Sequence, residues 1–363
     1  MIRTLAAATL LSLAAAVAQA APVDVASDED LPAAALTGDI PWAWTPAAPD
    51  PDAPGARRWR EALRDIGRRE TPRLPPTSRA PRLIPLWLAL AGLALWALAP
   101  RLKRPRARRA LDLGLAGLGL AGVVSFFGLA LREGAPRTHL WDTFHYFVAP
   151  RYFEELRYDG LYECLVVADA QTVWRPPDVL ARRLTDLRTN RVVGTKEILA
   201  DPGRCTDRFT PARWAAFTAE VSWFRDRMGA RTWEKMQLDH GFNATPAWLL
   251  AGMAVTAVGP PSEALLLGLN ALDPALLLLG LGAMGWAFGW RTAALGALLL
   301  GTNLAAPAAW TGGSVLRWDW LFWLLLGASL LKKGHARSGG AALGLAALLR
   351  VFPALALAGV ALR

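Results

Sequence analysis

Cysteine is nearly missing from this sequence, with two in 363 residues, Cys164 and Cys205. Neither sits in a C-x-x-C or comparable spacing, which excludes cysteine-based zinc sites and thioredoxin-like redox motifs. Phosphate-cradling glycine loops and the Ser-His-Asp order signals of soluble hydrolases are also absent. The long Leu/Ala/Gly runs lack a polar face, unlike the one-striped helices that build a soluble core. No inverted repeat of the kind many transporters carry is visible.

What the sequence has is apolar length. It is 53% hydrophobic, and its apolar residues cluster in runs separated by Arg-rich or Pro-rich stretches. Runs of about 18 residues or more match the hydrocarbon thickness of a bilayer. The formal net charge is +10. Its basic residues lie mostly beside the apolar runs, where anionic headgroups and topology account for them without a nucleic-acid partner. The class expected is an all-α polytopic membrane protein with a mainly helical extracytoplasmic loop domain.

The N-terminus reads as an export signal over residues 1–20. Arg3 precedes the apolar stretch Leu5 to Ala18, and Ala18-Gln19-Ala20 gives a small-x-small cleavage pattern. The segment is either removed or kept as an anchor, and in both cases the chain after it starts outside the cytoplasm. Residues 21–81 form a Pro/Arg-rich tether that buries too little surface to repay its ordering. Trp59, Leu63 and Ile66 recur there at helical spacing and suit a short helix on the membrane surface.

Residues 82–131 are a transmembrane hairpin, Leu83 to Ala99 and Leu111 to Leu131. Its turn carries Arg101, Lys103, Arg104, Arg106, Arg108 and Arg109. Such short basic turns stay cytoplasmic; the segment before Leu83 is Arg-rich as well, so the charge rule alone is ambiguous, and the export signal breaks the tie and places residues 132–244 outside. Residues 245–363 comprise an interfacial helix, Pro246 to Val258, and a bundle. The bundle reads as a long span from Ser262 to Trp290 disturbed at Asp273-Pro274, a return span Ala293 to Ala309, an outer loop Trp310 to Arg317, and two spans, Trp318 to Leu331 and Gly339 to Leu362. The turn at Lys332, Lys333, His335 and Arg337 lies inside. The expected localisation is the inner (cell) membrane, multi-pass, with about six spans.

Both cysteines fall in the exported region, where an oxidising compartment lets them pair. Closing a loop of about 40 residues is worth about 3–4 kcal/mol in the chain-entropy model.

Two polar clusters border the loop domain. The first runs from Trp141 to Leu156 and holds Asp142 and His145, three residues apart and therefore on one helical face. The second, Asp239-His240-Gly241-Phe242-Asn243-Ala244-Thr245-Pro246, immediately precedes the interfacial helix. Both are tethered at the membrane surface and can converge on one site. A carboxylate there can act as a general base or hold a divalent metal, and imidazoles can orient a phosphate or ligate a metal. Arg350 falls inside the last apolar run, where a guanidinium pairs with an anion or faces a cavity. Arg317, closing the outer loop, is a second substrate-binding candidate. Thr210-Pro211 predicts a helix start, with Trp214, Phe217, Val221 and Phe224 as its packing face. Asn243-Ala244-Thr245 matches a glycosylation sequon, but its position against the membrane argues against modification.

These features together resemble the GT-C superfamily of membrane glycosyltransferases, most closely glycosyltransferase family 87. The resemblance rests on the acidic first outward loop, Thr245-Pro246 at the interfacial helix, Pro260-Pro261 before a long span, the basic turn from Lys332 to Gly340, and Arg350 with Pro353. It covers roughly residues 111 to 363. It implies transfer of a sugar, hexosyl or pentosyl, from a polyprenyl-phosphate donor to an extracytoplasmic acceptor. Asp142 would be the base, Asp239 or His240 would assist, and Arg350 would contact the donor phosphate. The tether and the extra span before the first loop depart from the family pattern. The sequence also stops before the later spans such enzymes usually have. The alternatives are a non-catalytic membrane protein whose loop binds a partner or envelope component, and a transporter.

Overall fold

The computed structural model describes residues 79–128, 138–172, 176–303 and 312–361. The export signal, the tether as far as residue 78 and the helix at Trp59 to Ile66 lie outside the described residues.

The described chain is mostly helical. Helices α1 (Arg79–Leu98) and α2 (Pro105–Gly128) flank the basic turn. The loop domain comes next as α3 (Leu140–Arg151), α4 (Leu161–Thr172), a two-stranded hairpin, α5 (Pro211–Met228) and α6 (Ala230–Met236), with single helical turns between them. Then come α7 (Pro246–Thr256), α8 (Glu263–Asn270), α9 (Leu272–Phe288), α10 (Trp290–Gly301), α11 (Asp319–Lys332), α12 (Ala336–Leu349) and α13 (Ala354–Ala361).

The hairpin pairs β1 (Arg183–Asp186) antiparallel with β2 (Arg191–Gly194). Sequence reading assigns this region to helices and connections and does not anticipate it. Its turn chemistry is local. Asp186 accepts from the Arg188 N–H at 2.9 Å and the Thr189 hydroxyl at 2.7 Å, and Asn190 takes φ 56°. Asn tolerates that left-handed backbone better than most residues.

Helix α5 starts as its sequence requires. The Thr210 hydroxyl accepts from Arg213 N, Pro211 occupies the first turn, and Phe217, Val221 and Phe224 are fully buried. They join Phe144, Phe147, Tyr152, Tyr162, Trp233 and Trp248 in one aromatic core. That core extends to Val315 and Leu349, so the loop domain and the C-terminal helices are packed together. Helix α7 mediates the join, lying between α3 and α12.

Among the C-terminal helices, α10 packs on α2 and α1, and α9 packs on α10 and α11, which in turn packs on α12. Small residues permit these approaches. A Cβ on Gly122 would lie 2.6 Å from the Ala297 carbonyl oxygen, and one on Gly339 would lie 2.8 Å from the Leu331 side chain. The Asp112–Arg291 ion pair ties α2 to α10.

The run Glu263–Phe288 is long and apolar enough to cross a membrane by length and composition. Helices α8 and α9 are nearly continuous, Ala271 between them keeping helical backbone at φ −73° and ψ −15°. The last apolar run is not one helix. It ends at Leu349, leaves Arg350 extended at φ −145° and ψ 138°, and restarts at Ala354. Pro353 explains the break, since it lacks an N–H and disfavours a helical residue before it.

Candidate functional site

The site begins at the N-terminus of α3. The His139 ring caps the helix, its Nδ1 accepting from Asp142 N at 3.2 Å. Asp142 occupies the first turn, where the helix field favours a carboxylate. The loop before α11 docks on this same end. The Gly313 carbonyl accepts from His139 N at 2.7 Å and from the Thr143 hydroxyl at 3.3 Å. That docking brings the Arg317 guanidinium to 2.8 Å from Asp142 Oδ2. The contact is an ion pair without hydrogen-bond alignment, and Asp142 Oδ2 is a buried oxygen with no hydrogen-bonded donor among the described residues. Burial pushes the Asp142 carboxyl above its ordinary range, opposed first by Arg317 and then by His139. Burial likewise lowers His139, in keeping with a neutral ring that accepts at Nδ1.

One turn beyond Asp142, Tyr146 gathers the two arginines. Its ring centre lies 5.7 Å from the Arg317 guanidinium carbon and 5.9 Å from that of Arg350. These are cation–π distances. Tyr146 is fixed by its hydroxyl, which donates to Asn243 Oδ1 at 2.9 Å, and by Trp248, edge-on at 4.8 Å. Asp239 is anchored by the Trp141 indole N–H at 2.7 Å, and it adds negative charge near Asp142. The structure therefore brings together Asp142, Asp239, Arg317 and Arg350, which span 208 positions of sequence between the first and the last.

The two histidines lie elsewhere. His145 is 2% exposed, and its Nε2 is 2.7 Å from the Tyr162 hydroxyl. That hydroxyl donates to the Met236 carbonyl at 2.7 Å, so it accepts from His145 and Nε2 carries the proton. Burial pushes His145 down to about 4, which keeps it neutral. His145 thus sits in the core beneath Asp142. His240 is exposed and turned to Asn190 of the hairpin, with Nδ1 2.7 Å from Oδ1. Among the described residues no group of three or more His, Cys, Asp or Glu is placed to hold a metal ion.

Sequence reasoning passes over Tyr146 and Asn243 as functional residues. The signal for Tyr146 is its i+4 spacing from Asp142, which shares a helical face as surely as the i+3 spacing of His145. Asp169 is missed as well. This wholly buried carboxylate accepts from Arg182 at 2.6 Å, Arg225 at 2.9 Å and the Trp233 indole at 2.7 Å. Cys164 and Cys205 form a disulfide, with Cα atoms 5.2 Å apart. A separate cavity of about 670 Å³ lies between α4 and α5, lined by Leu199, Trp214, Ala215, Thr218, Ala219 and Gln171 among others, and it shares no residue with the Asp142 cluster.

Compared with known proteins, the chain matches no family model, no curated protein and no solved structure.

Proposed function

We propose that this chain is a polytopic membrane glycosyltransferase of the GT-C type, moving a sugar from a polyprenyl-phosphate donor to an extracytoplasmic acceptor. The observation that carries the proposal is the convergence of a half-buried carboxylate, Asp142, with two guanidiniums around Tyr146. The acceptor hydroxyl attacks the anomeric carbon while Asp142 takes its proton. The bond from that carbon to the phosphate oxygen breaks, and the leaving polyprenyl phosphate carries negative charge toward Arg317 and Arg350. A carboxyl raised by burial is a stronger base than an exposed one, which suits this step. Bidentate guanidiniums suit the phosphate.

The membrane part of the reading rests on the surface of the helices. Leu113, Leu120, Val124, Leu278, Leu279, Trp286, Leu348 and Val351 are all exposed, on α2, α9, α12 and the Arg350 break. Apolar surface on this scale calls for lipid or a partner. The six proposed spans are α1, α2, α8 with α9, α10, α11, and α12 with α13. The disulfide favours an exported loop domain.

The test is transfer in proteoliposomes from a polyprenyl-phosphate sugar. Asp142→Asn is expected to lower turnover by about 10²–10⁴-fold, and Arg350→Ala to raise the donor KM. Full activity in Asp142→Asn would refute the assignment.

A second reading has its own observation. The 670 Å³ cavity in the loop domain has the size of a ligand pocket and a partly exposed Trp214 on its wall. A non-catalytic protein holding an envelope component there would lose binding in Ala219→Trp and be indifferent to Asp142→Asn.

A further inference from the structure

Arg317 is the only one of the four converging residues that belongs to the loop before α11, and something must hold that loop in place. Its backbone is unfavourable by itself. Gly313 takes φ 72° and Leu316 takes φ 48°, a conformation that a branched side chain rarely adopts. Three structural elements grip it. α3 donates to the Gly313 carbonyl through His139 N and the Thr143 hydroxyl. α7 donates to the Leu316 carbonyl through the Trp248 indole at 3.0 Å. α9 supplies Asp273, whose Oδ2 accepts from Arg317 N at 2.8 Å and whose Oδ1 accepts from Trp318 N at 3.0 Å.

Asp273 is 2% exposed and lies in the first turn of α9, within the apolar run that is long enough to cross a membrane. A carboxylate there is costly unless its oxygens are satisfied. Here both oxygens are spent on the two main-chain N–H groups that precede α11, and no salt bridge to Asp273 occurs among the described residues.

From this geometry we infer that Asp273 is a positioning residue. It fixes the backbone of Arg317, so that the guanidinium reaches both Asp142 and Tyr146. The inference rests on the glycosyltransferase reading only for the purpose of that placement; the placement itself is a statement about the loop. Asp273 links the apolar helix to the polar cluster, so a shift of α9 along its axis moves Arg317 relative to Asp142.

Two measurements on the full chain in lipid nanodiscs test this. The first is amide hydrogen exchange. Asp273→Ala is expected to speed exchange roughly ten-fold in residues 312–320 and 138–146, as loss of a buried hydrogen bond implies, while the hairpin and α5 stay protected. Asp273→Asn keeps one carbonyl acceptor and is expected to restore most of the protection; it also serves if the alanine variant does not fold. Unchanged exchange in 312–320, or equal acceleration everywhere, overturns the inference. The second is binding of farnesyl phosphate, followed by native mass spectrometry. Arg317→Ala and Asp273→Ala are each expected to weaken it, the double variant to be no weaker than Arg317→Ala, and Asp273→Asn to bind nearly as the unaltered chain does. Additive losses overturn the positioning role. If the unaltered chain does not bind farnesyl phosphate, the proposed function fails and hydrogen exchange alone decides the role of Asp273.

Discussion

The loop domain and the helices around it solve opposite packing problems with the same residue types. In the loop domain the large aromatics point inward. Phe144, Phe147, Tyr152, Tyr162, Phe217, Phe224 and Trp233 are fully buried, and the charges that are buried with them are paired. Along α2 and α9 many large side chains point outward, Leu113 being 73% and Leu279 61% exposed, while Gly122 of α2 packs closely on Gly301 of α10. Helix association without a hydrophobic drive depends on such close small-residue contact. One region is built to exclude water from its centre, and the other leaves large apolar side chains on its surface. The candidate site lies where they meet: Asp142 comes from the first, and Arg317 and Arg350 come from the second.

The largest effect that would test this contrast is expected at Asp169. Removing the carboxylate leaves Arg182 and Arg225 buried together, with only the exposed Glu234 and Asp226 as counter-charges. Asp169→Ala should destabilise the loop domain by about 3–5 kcal/mol, read as early loss of near-ultraviolet circular dichroism on heating. A loss below about 1 kcal/mol would mean that the loop domain is not held by its ion network. Next is the disulfide, Cys164–Cys205, which closes a loop with a sequence separation of 41. Cys164→Ser with Cys205→Ser should cost about 3–4 kcal/mol in the chain-entropy account, with thermal unfolding in detergent as the readout. Both thiols reacting with a thiol reagent in unreduced, denatured protein would remove the bridge altogether.

The third prediction addresses the outer surface of the helices. Leu279→Lys places a charge on an exposed side of α9, where insertion into a bilayer should become less favourable by about 2.5–3.5 kcal/mol. Val192→Lys, at an exposed position of the hairpin, should change stability by no more than about 0.5 kcal/mol. Equal, small effects at both positions would collapse the contrast. The smallest effect concerns pH. His145 has a folded-state pKa depressed from the ordinary 6.5 to about 4. The unfolded chain therefore binds the proton first, and stability is full above 6.5 and lost as pH falls toward 4. Between pH 8 and 5.5 the loss is about 1 kcal/mol, and His145→Gln should flatten it in a series of thermal melts.

Much of the helix map is legible because its signals are local. Thr210-Pro211 and Thr245-Pro246 each announce a cap and a first-turn proline, and both helices start there. The disturbance expected at Asp273-Pro274 amounts to a slight irregularity at Ala271, whereas the loop around Gly313 is unwound as its glycines suggest. The break at Arg350 is not anticipated, although Pro353 is in view, because the apolar run continues through it. The hairpin is missed because four-residue strands carry too short a period to stand out beside long helices. In the site, Asp142 and Asp239 are legible as acids at the two ends of one loop. The separation of His145 from Asp142 is not. Both occupy one side of α3, and which of them meets the arginines depends on what packs against each turn of that helix.

The sequence by itself determined the two apolar classes of segment, the caps and breaks that bound the helices, and the placement of both cysteines within one loop. These arise from run length, side-chain volume and backbone chemistry, which act over a few residues. Tertiary structure alone decided that Arg317 reaches Asp142, that Tyr146 lies between two arginines, that His145 is buried against Tyr162, and that Asp273 holds the loop that carries Arg317. Those contacts join residues 17 to more than 200 positions apart, and no local preference specifies a partner at such separations; it is set by which packed surfaces meet once the helices are assembled.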